Sequence, residues 1–368
     1  MIVLYILLAV VILLFMILVH EFGHYVVGKL LKFKINEFSI GFGPAIFSKT
    51  NKKTGEKFSF RAFPLGGYCA FDGEDDTEEN PSSSAFNSQK PWRRILVFLA
   101  GVTMNFLTAI IFSWVLLCSI GYDVPQIKNF DTISHTNPYE VGDVITHING
   151  KKIDFAFGEN YVSLVNHERL KAKEYYETNG IDAEKYTFDM RVKRSGASTP
   201  LTIVVYPELE TNADSTEYIN TYIGLETGDD GVPMTTAYRY NAWEGFCRSF
   251  EMAFGFAWIV LKSIWMLITF QIPITQMGGT IATISTMATM ASQSLSYLLV
   301  FIPLIAANLA VFNLLPFPAL DGSHVMFTLI EWIRGKPINR KIENTIHFVG
   351  ICILFAFVVI VDILHFAL

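Results

Sequence analysis

Five stretches of this chain are apolar for long enough to concern a membrane, and two long polar regions separate them. Residues 1–19 (MIVLYILLAVVILLFMILV) contain no charge, and the apolar run continues through HEFGHYVVGKLL to residue 31. A bilayer span needs only about 20 residues. Residues 95–120 are also free of charge, 252–270 carry one lysine among many aromatics, and 295–317 and 346–366 complete the set. The first run has no basic residue before its core and no small-residue cleavage site after it, so it reads as a retained span and not as a signal peptide.

Lysine and arginine placement orients the spans. Eleven basic residues lie between Lys29 and Arg94, which marks that region as cytoplasmic. Arg334, Lys336, Arg340 and Lys341 mark the connection before the last span in the same way. With the N-terminus outside, the first two spans return the chain to the outside, and 122–241 is extracytoplasmic. The basic 334–341 segment then falls inside only if 252–270 does not cross. That stretch, with Trp243, Trp258, Lys262 and Trp265 in or beside it, is expected to lie at the interface.

Within 122–241 the pattern becomes that of a mixed α/β domain. VGDVITHINGKKI (141–153) alternates Val144, Ile145 and Ile148 around an expected Asn149-Gly150 hairpin turn. TPLTIVVYPEL (199–209) reads as a strand and 159–179 as a helix, whereas 75–90 is an acidic, serine-rich loop.

Composition agrees with a membrane protein. Hydrophobic residues make up 51% of the chain and charged residues 17%, against roughly a quarter charged in a soluble domain. A net charge of −6 suggests no nucleic-acid partner. Cys69, Cys118, Cys247 and Cys352 are scattered without zinc-knuckle spacing, so no disulfide framework is implied.

The candidate chemistry lies where polarity is least expected. His20, Glu21 and His24 form HEFGH at the end of the first apolar run. On a helix, positions i and i+4 lie about 40° apart, so both histidines can grip one metal ion. Glu21 points to an adjacent face, where it can act as general base toward water. HExxH arises by chance in on the order of one per cent of chains this size. In a span, burying these groups costs several kcal/mol unless they are paired or bind metal.

A catalytic zinc needs a third protein ligand. The metzincin extension fails, since Gly28 is one place late and position 30 is leucine. Glu37 and Glu56 sit in loop-like sequence. Asp321 remains, in NLLPFPALDGSHV (313–325), where two prolines and a glycine break the helix after 295–317. The expected topology puts Asp321 at the depth of His20 and His24. His324, three residues on, is the rival ligand.

Together HEFGH in the first span, NLLPFPALDGSHV late in the chain, GFGP at 41–44 and FPLGGY at 63–68 resemble the site-2 protease family of intramembrane zinc metalloproteases. The bacterial regulator-of-sigma-E branch, with a PDZ region between spans 2 and 3, is the most similar. The resemblance implies one zinc ion per chain held by His20, His24 and Asp321, with Glu21 as general base. It implies substrate binding by Asn313 and by a membrane-reentrant β-loop at 38–71, which includes Gly41, Gly43, Gly66 and Gly67. GVTMN (101–105) stands where the family often has Gly-Pro-x-x-Asn, with Val102 in place of the proline. QMGGTIATI (276–284) likewise resembles a Gly-Pro-Ile-Gly stretch without its proline.

The expected fold is therefore a polytopic α-helical membrane protein of about four transmembrane helices, with a membrane-associated β-hairpin and an extracytoplasmic PDZ-like α/β domain. Its segments are 1–30 (first span with HExxH), 31–94 (cytoplasmic or reentrant β-loop), 95–121 (second span) and 122–241 (PDZ-like domain). They continue as 242–293 (interfacial amphipathic segment), 294–325 (third span with the LDG motif), 326–345 (cytoplasmic loop) and 346–368 (fourth span). The PDZ-like region shows no clear carboxylate-binding loop, and a size filter over the site suits it at least as well. The resemblance implies an endopeptidase of the bacterial cytoplasmic membrane. Its partners would be the bilayer and single-span proteins, such as anti-sigma factors and leftover signal peptides. A metal transporter would need internal repeats and more intramembrane acids, and a non-catalytic scaffold a broken HExxH; the sequence has neither.

Overall fold

The computed structural model describes residues 2–74, 85–122, 124–129, 137–154, 160–180, 184–211, 218–223, 225, 235–274 and 278–367. Most of the acidic 75–90 loop and the start of QMGGTIATI lie outside them. The first half of the chain forms α1 (Ile2–Leu30), β1 (Ile35–Thr50), β2 (Lys57–Phe71), α2 (Pro91–Ser119), β3 (Pro125–Ile127), β4 (Val144–Ile148), β5 (Lys151–Lys152) and α3 (Tyr161–Asn179). Next come β6 (Phe188–Lys193), β7 (Leu201–Val205), β8 (Glu208–Thr211), β9 (Tyr218–Tyr222) and β10 (Thr235–Ala237). The remainder is helical: α4 (Ala242–Ile268), α5 (Thr280–Gln293), α6 (Leu298–Leu314), α7 (Asp321–Arg334) and α8 (Arg340–Ala367). The chain divides into two compact units, Met1–Ser113 with Ile259–Leu368, and Trp114–Trp258.

In the first unit, α1 packs against β2, α5 and α6. Its N-terminal half exposes Ile2, Val3, Leu4, Leu7, Val11 and Phe15, the outward apolar surface of a helix whose solvent is lipid. β1 and β2 are bent, so that four strand segments lie side by side in the order 47–50, 57–60, 37–40, 67–70. Ile40, for example, pairs with both Phe60 and Gly67. Glu37 thus lies in a strand and not in a loop; it takes hydrogen bonds from Ser59 and Arg61. Glu56 pairs with Lys29. Arg94 at the start of α2 is buried and meets Glu331 of α7 at 2.7 Å.

By length and composition, five helical segments among the described residues could cross a membrane: Ile2–Leu30, Pro91–Ser119, Ala242–Ile268, Leu295–Leu314 and Arg340–His365. This is one more than the charge pattern requires, the addition being α4. The apolar run 295–317 ends as helix at Leu314, because Pro316 and Pro318 supply no N–H to continue it. Asp321 then opens a separate helix, α7.

The second unit is built on an antiparallel sheet in the order β10-β3-β4-β6-β7, with β5 paired to β4. Its inward positions, Ile127, Ile145, Ile148, Met190, Val192 and Val205, are fully buried. The Asn149-Gly150 turn has φ values of 48° and 79°, as a two-residue type I′ hairpin requires. α3 begins at an Asn160 cap whose side chain accepts from the Ser163 N–H.

Candidate metal centre

α1 brings His20 and His24 to one face, and both are buried. Asp321, far along the chain, meets them: its Oδ2 lies 2.9 Å from His20 Nε2 and 3.4 Å from His24 Nε2. The two Nε2 atoms are 3.2 Å apart. A tetrahedral zinc with bonds of about 2.0–2.1 Å would hold its ligand atoms about 3.3 Å from one another. The three atoms already stand at that spacing, as three residues that could hold a metal ion.

The surrounding hydrogen bonds set the imidazoles for the same purpose. His24 Nδ1 donates to the carbonyl of Val97 at 2.8 Å. In the neutral ring this leaves Nε2 as a bare lone pair aimed at Asp321. His20 Nδ1 lies 3.2 Å from the Asn105 amide. Asn105 Oδ1 and Asp321 Oδ2 are buried without a hydrogen-bond donor in the described structure. A half-turn of the amide puts Asn105 Oδ1 on a His20 Nδ1–H and frees Nε2 as a ligand. With both Nε2 atoms bare, a cation among the three lone-pair atoms satisfies the carboxylate oxygen and both imidazoles at once, so the residues present fit zinc.

Close approach of α2 to α1 makes this possible. A Cβ on Gly101 would stand 2.5 Å from His24 Nε2, and one on Gly23 would stand 2.4 Å from the carbonyl oxygen of Ala100. Such contacts admit only glycine. α2 continues unbroken through Val102, so where the resembled pattern has a proline this helix has no break. Gly101 and Asn105 of GVTMN shape the site through contact and hydrogen bonding.

The Glu21 side chain interacts electrostatically with His24, His20 and Asp321 and also reaches β2. The main-chain N–H of Cys69 donates to its carboxylate, and a Cβ on Gly67 would lie 3.4 Å from Glu21 Cγ. The outer edge of segment 67–70 therefore runs past Glu21. Gly41, Gly43 and Gly66 have φ values of 88°, 82° and 144° and form the bends of the sheet. Gly67 is the member of that set beside α1. Asn313 lies half-buried in the last turn of α6, and among the described residues no hydrogen bond ties it to the three ligand candidates.

His324 goes elsewhere. Its ring stacks on Phe98 at 4.9 Å and on His347 at 4.0 Å with an interplanar angle of 9°. His324, Glu343 and His347 also lie close enough together to count as a group that could hold a metal. Parallel stacked imidazoles, however, aim their lone pairs along separate planes, which do not converge on one tetrahedral ion. His347 Nδ1 is already taken, accepting from the Ala319 N–H at 3.0 Å. His347 left no signal in the sequence because its partners come from distant turns.

Comparison with known proteins agrees with this chemistry. The sequence pattern of Peptidase family M50 matches residues 8–357. The chain is 28% identical to a Fusobacterium nucleatum protein, over 97% of each chain. It is 30% identical to a Clostridium perfringens protein, over 95% of this chain and 94% of that one. With a Rickettsia conorii protein it shares 27% identity, over 94% and 93%. All three carry the name "Putative zinc metalloprotease".

Proposed function

From the premise that the chain belongs to peptidase family M50 and is a multi-pass membrane zinc metalloprotease, we propose that it is an intramembrane endopeptidase that cuts the transmembrane segments of single-span proteins. In this reading His20, His24 and Asp321 hold the zinc and Glu21 is the general base. One observation carries it: three atoms that could hold a metal ion lie together, and Glu21, next to His20 in the chain, touches the edge 67–70.

Zinc supplies Lewis-acid polarisation of the scissile carbonyl and lowers the pKa of water at the site. The chain supplies the rest. A transmembrane helix must be unwound before its peptide bonds can be reached, and an unwound stretch exposes N–H and C=O groups. The outer edge of segment 67–70 can pair with them by strand addition, which lays the backbone beside Glu21. Glu21 Oε then takes a proton from the attacking water and returns it to the leaving amine. Asn313 steadies the substrate near the centre, and Gly41, Gly43 and Gly66 shape the loop that presents the edge. Anti-sigma-factor-like proteins and remnant signal peptides are the substrate classes.

The orientation proposed is N-terminus outside, in the bacterial cytoplasmic membrane. α8 rises about 33 Å from Arg340 to Asp362, so a cytoplasmic Arg340 puts Asp362 at the opposite face. Asp362 holds the N-terminus of α5, and the C-terminus of α5 leads into the start of α6, the end away from Asp321. Both ends of α5 then lie outside, α4 lies along the outer interface, and the second unit is an extracytoplasmic PDZ-like domain that screens substrates by size.

The test is cleavage of a reconstituted single-span substrate by the wild type and by Glu21→Gln, with and without a zinc chelator. Wild-type cutting that both changes abolish is expected. Equal cutting by both variants, or cutting untouched by the chelator, overturns the reading.

A further inference from the structure

The 14 residues of α5 rise about 21 Å, too short to cross a bilayer. Its first N–H groups need partners wherever water is scarce, because a helix leaves them unpaired. Their partner comes from another helix. Asp362 interrupts the apolar stretch VVIVDILHF near the end of α8, and only 6% of it is exposed. Its Oδ2 accepts from the Ile281 N–H at 3.2 Å and its Oδ1 from the Ala282 N–H at 3.1 Å. At Gly279, the N-cap of α5, a Cβ would stand 2.5 Å from that carboxylate. An acid in an apolar helix is costly unless partnered, and a helix N-terminus complements its charge.

α5 in turn packs along α1. Ala282, Met287, Ala288 and Ala291 are buried on α5, and Ala9 and Met16 on α1. α5 also leads directly into α6, which delivers Asp321.

We propose that Asp362 is a positioning residue whose carboxylate clasps the N-terminus of α5 and so holds α1, with His20, Glu21 and His24, in register with Asp321, which opens α7 just beyond α6. It acts through α5 and not on the reacting atoms. Releasing the clasp frees α5 at the Gly278-Gly279 end and lets the α1–α6 frame drift. β2, which carries the edge 67–70, packs on α1 and moves with it, so substrate capture is kept and the loss falls on kcat and not on KM. This last step rests on the endopeptidase reading above; the clasp itself does not.

The experiment is amide hydrogen exchange on the full-length zinc-loaded protein, beside steady-state cleavage, for Asp362→Leu, Asp362→Asn and Gly279→Ala. Asp362→Leu is expected to speed exchange at Ile281 and Ala282 by about 10- to 100-fold, the range for losing hydrogen bonds to a charged group. In that variant kcat falls while KM stays within about twofold of wild type and zinc stays bound. Asp362→Asn, which keeps one acceptor oxygen, recovers part of both losses. Gly279→Ala, which wedges the clasp apart, repeats them. Unchanged protection at 281–282 in Asp362→Leu overturns the proposal, as does a change in KM alone. If Asp362→Leu does not fold, the other two variants decide by the same readings. A wild type that cuts no substrate sinks the endopeptidase reading and leaves the exchange measurement to judge the clasp.

Discussion

Two buried carboxylates in the second unit, set beside Asp321 in the first, show what separates a structural acid from a candidate metal ligand. Asp143 accepts from Arg194 Nε at 2.8 Å and Arg194 Nη2 at 2.7 Å, and from the Glu140 N–H. Glu168 accepts from Lys171, Tyr186 and Asn149. Each has its donors within the protein, as buried polar groups in a finished fold do. The Asp321 side chain is 17% exposed, and its buried Oδ2 faces the Nε2 atoms of His20 and His24 in place of a lysine, arginine or hydroxyl. The difference that matters lies in the partners. Neutral imidazoles bring no charge to Asp321, and the proposed zinc would supply it.

The sharpest way to break this contrast is to remove the charge and keep the shape. Asp321→Asn is expected to abolish zinc binding and cleavage together, because the amide can donate to His24 Nε2 and satisfy itself without metal. Glu21→Gln, by contrast, is expected to keep one zinc per chain and lose about 10²–10⁴-fold in kcat, the range for general-base catalysis. Metal analysis of the purified variants, run beside the cleavage assay, distinguishes them. If Asp321→Asn retains stoichiometric zinc, Asp321 is not a ligand.

A smaller effect is expected one shell out. Asn105→Ala removes the group that fixes the His20 tautomer, and such partners typically matter by about 10- to 100-fold in metal affinity or activity. Competition against a chelator of known affinity measures the change. Asn105→Asp, which restores an acceptor for His20 Nδ1–H, should recover most of it. An alanine variant with wild-type zinc affinity would show that the tautomer is set without Asn105.

How much of this was legible beforehand depended on how local each feature is. HEFGH announces itself because its three polar groups lie within one helical turn and a half, against an apolar background. Asp321 could be reached because prolines and a glycine mark a broken helix, and charge placement gave the depth. The Asn149-Gly150 turn follows from two residues. The carbonyl of Val97 could not be found this way, since any residue carries one. The four-segment arrangement of β1 and β2 was also hidden: a hairpin pattern does not say that Ile40 pairs on both sides. Asp362 did not stand out in its apolar run, because its partner is a pair of backbone N–H groups about 80 residues away, which no side-chain pattern encodes.

The mildest test turns to the satisfied side of the contrast, through pH. Burial pushes the Glu168 carboxyl up, but hydrogen bonds from Lys171, Tyr186 and Asn149 outweigh it and hold the group below its ordinary value. A carboxyl lowered on folding stabilises the second unit above its unfolded value, about 4.3, and that contribution is lost as pH falls through the folded value. Tyr186 runs the other way. Burial first, then its bond to Glu168, pushes the phenol up to about 12. Its contribution is complete below the unfolded value of about 10 and disappears as pH rises through about 12. The second unit should thus hold a plateau of stability between about pH 5 and 10. Thermal melts of the full chain, followed by the methyl signal of the fully buried Met190, should show it. Glu168→Gln is expected to flatten the acid limb and Tyr186→Phe the alkaline limb, each by about 1 kcal/mol. An acid limb that survives Glu168→Gln would overturn its assignment to Glu168.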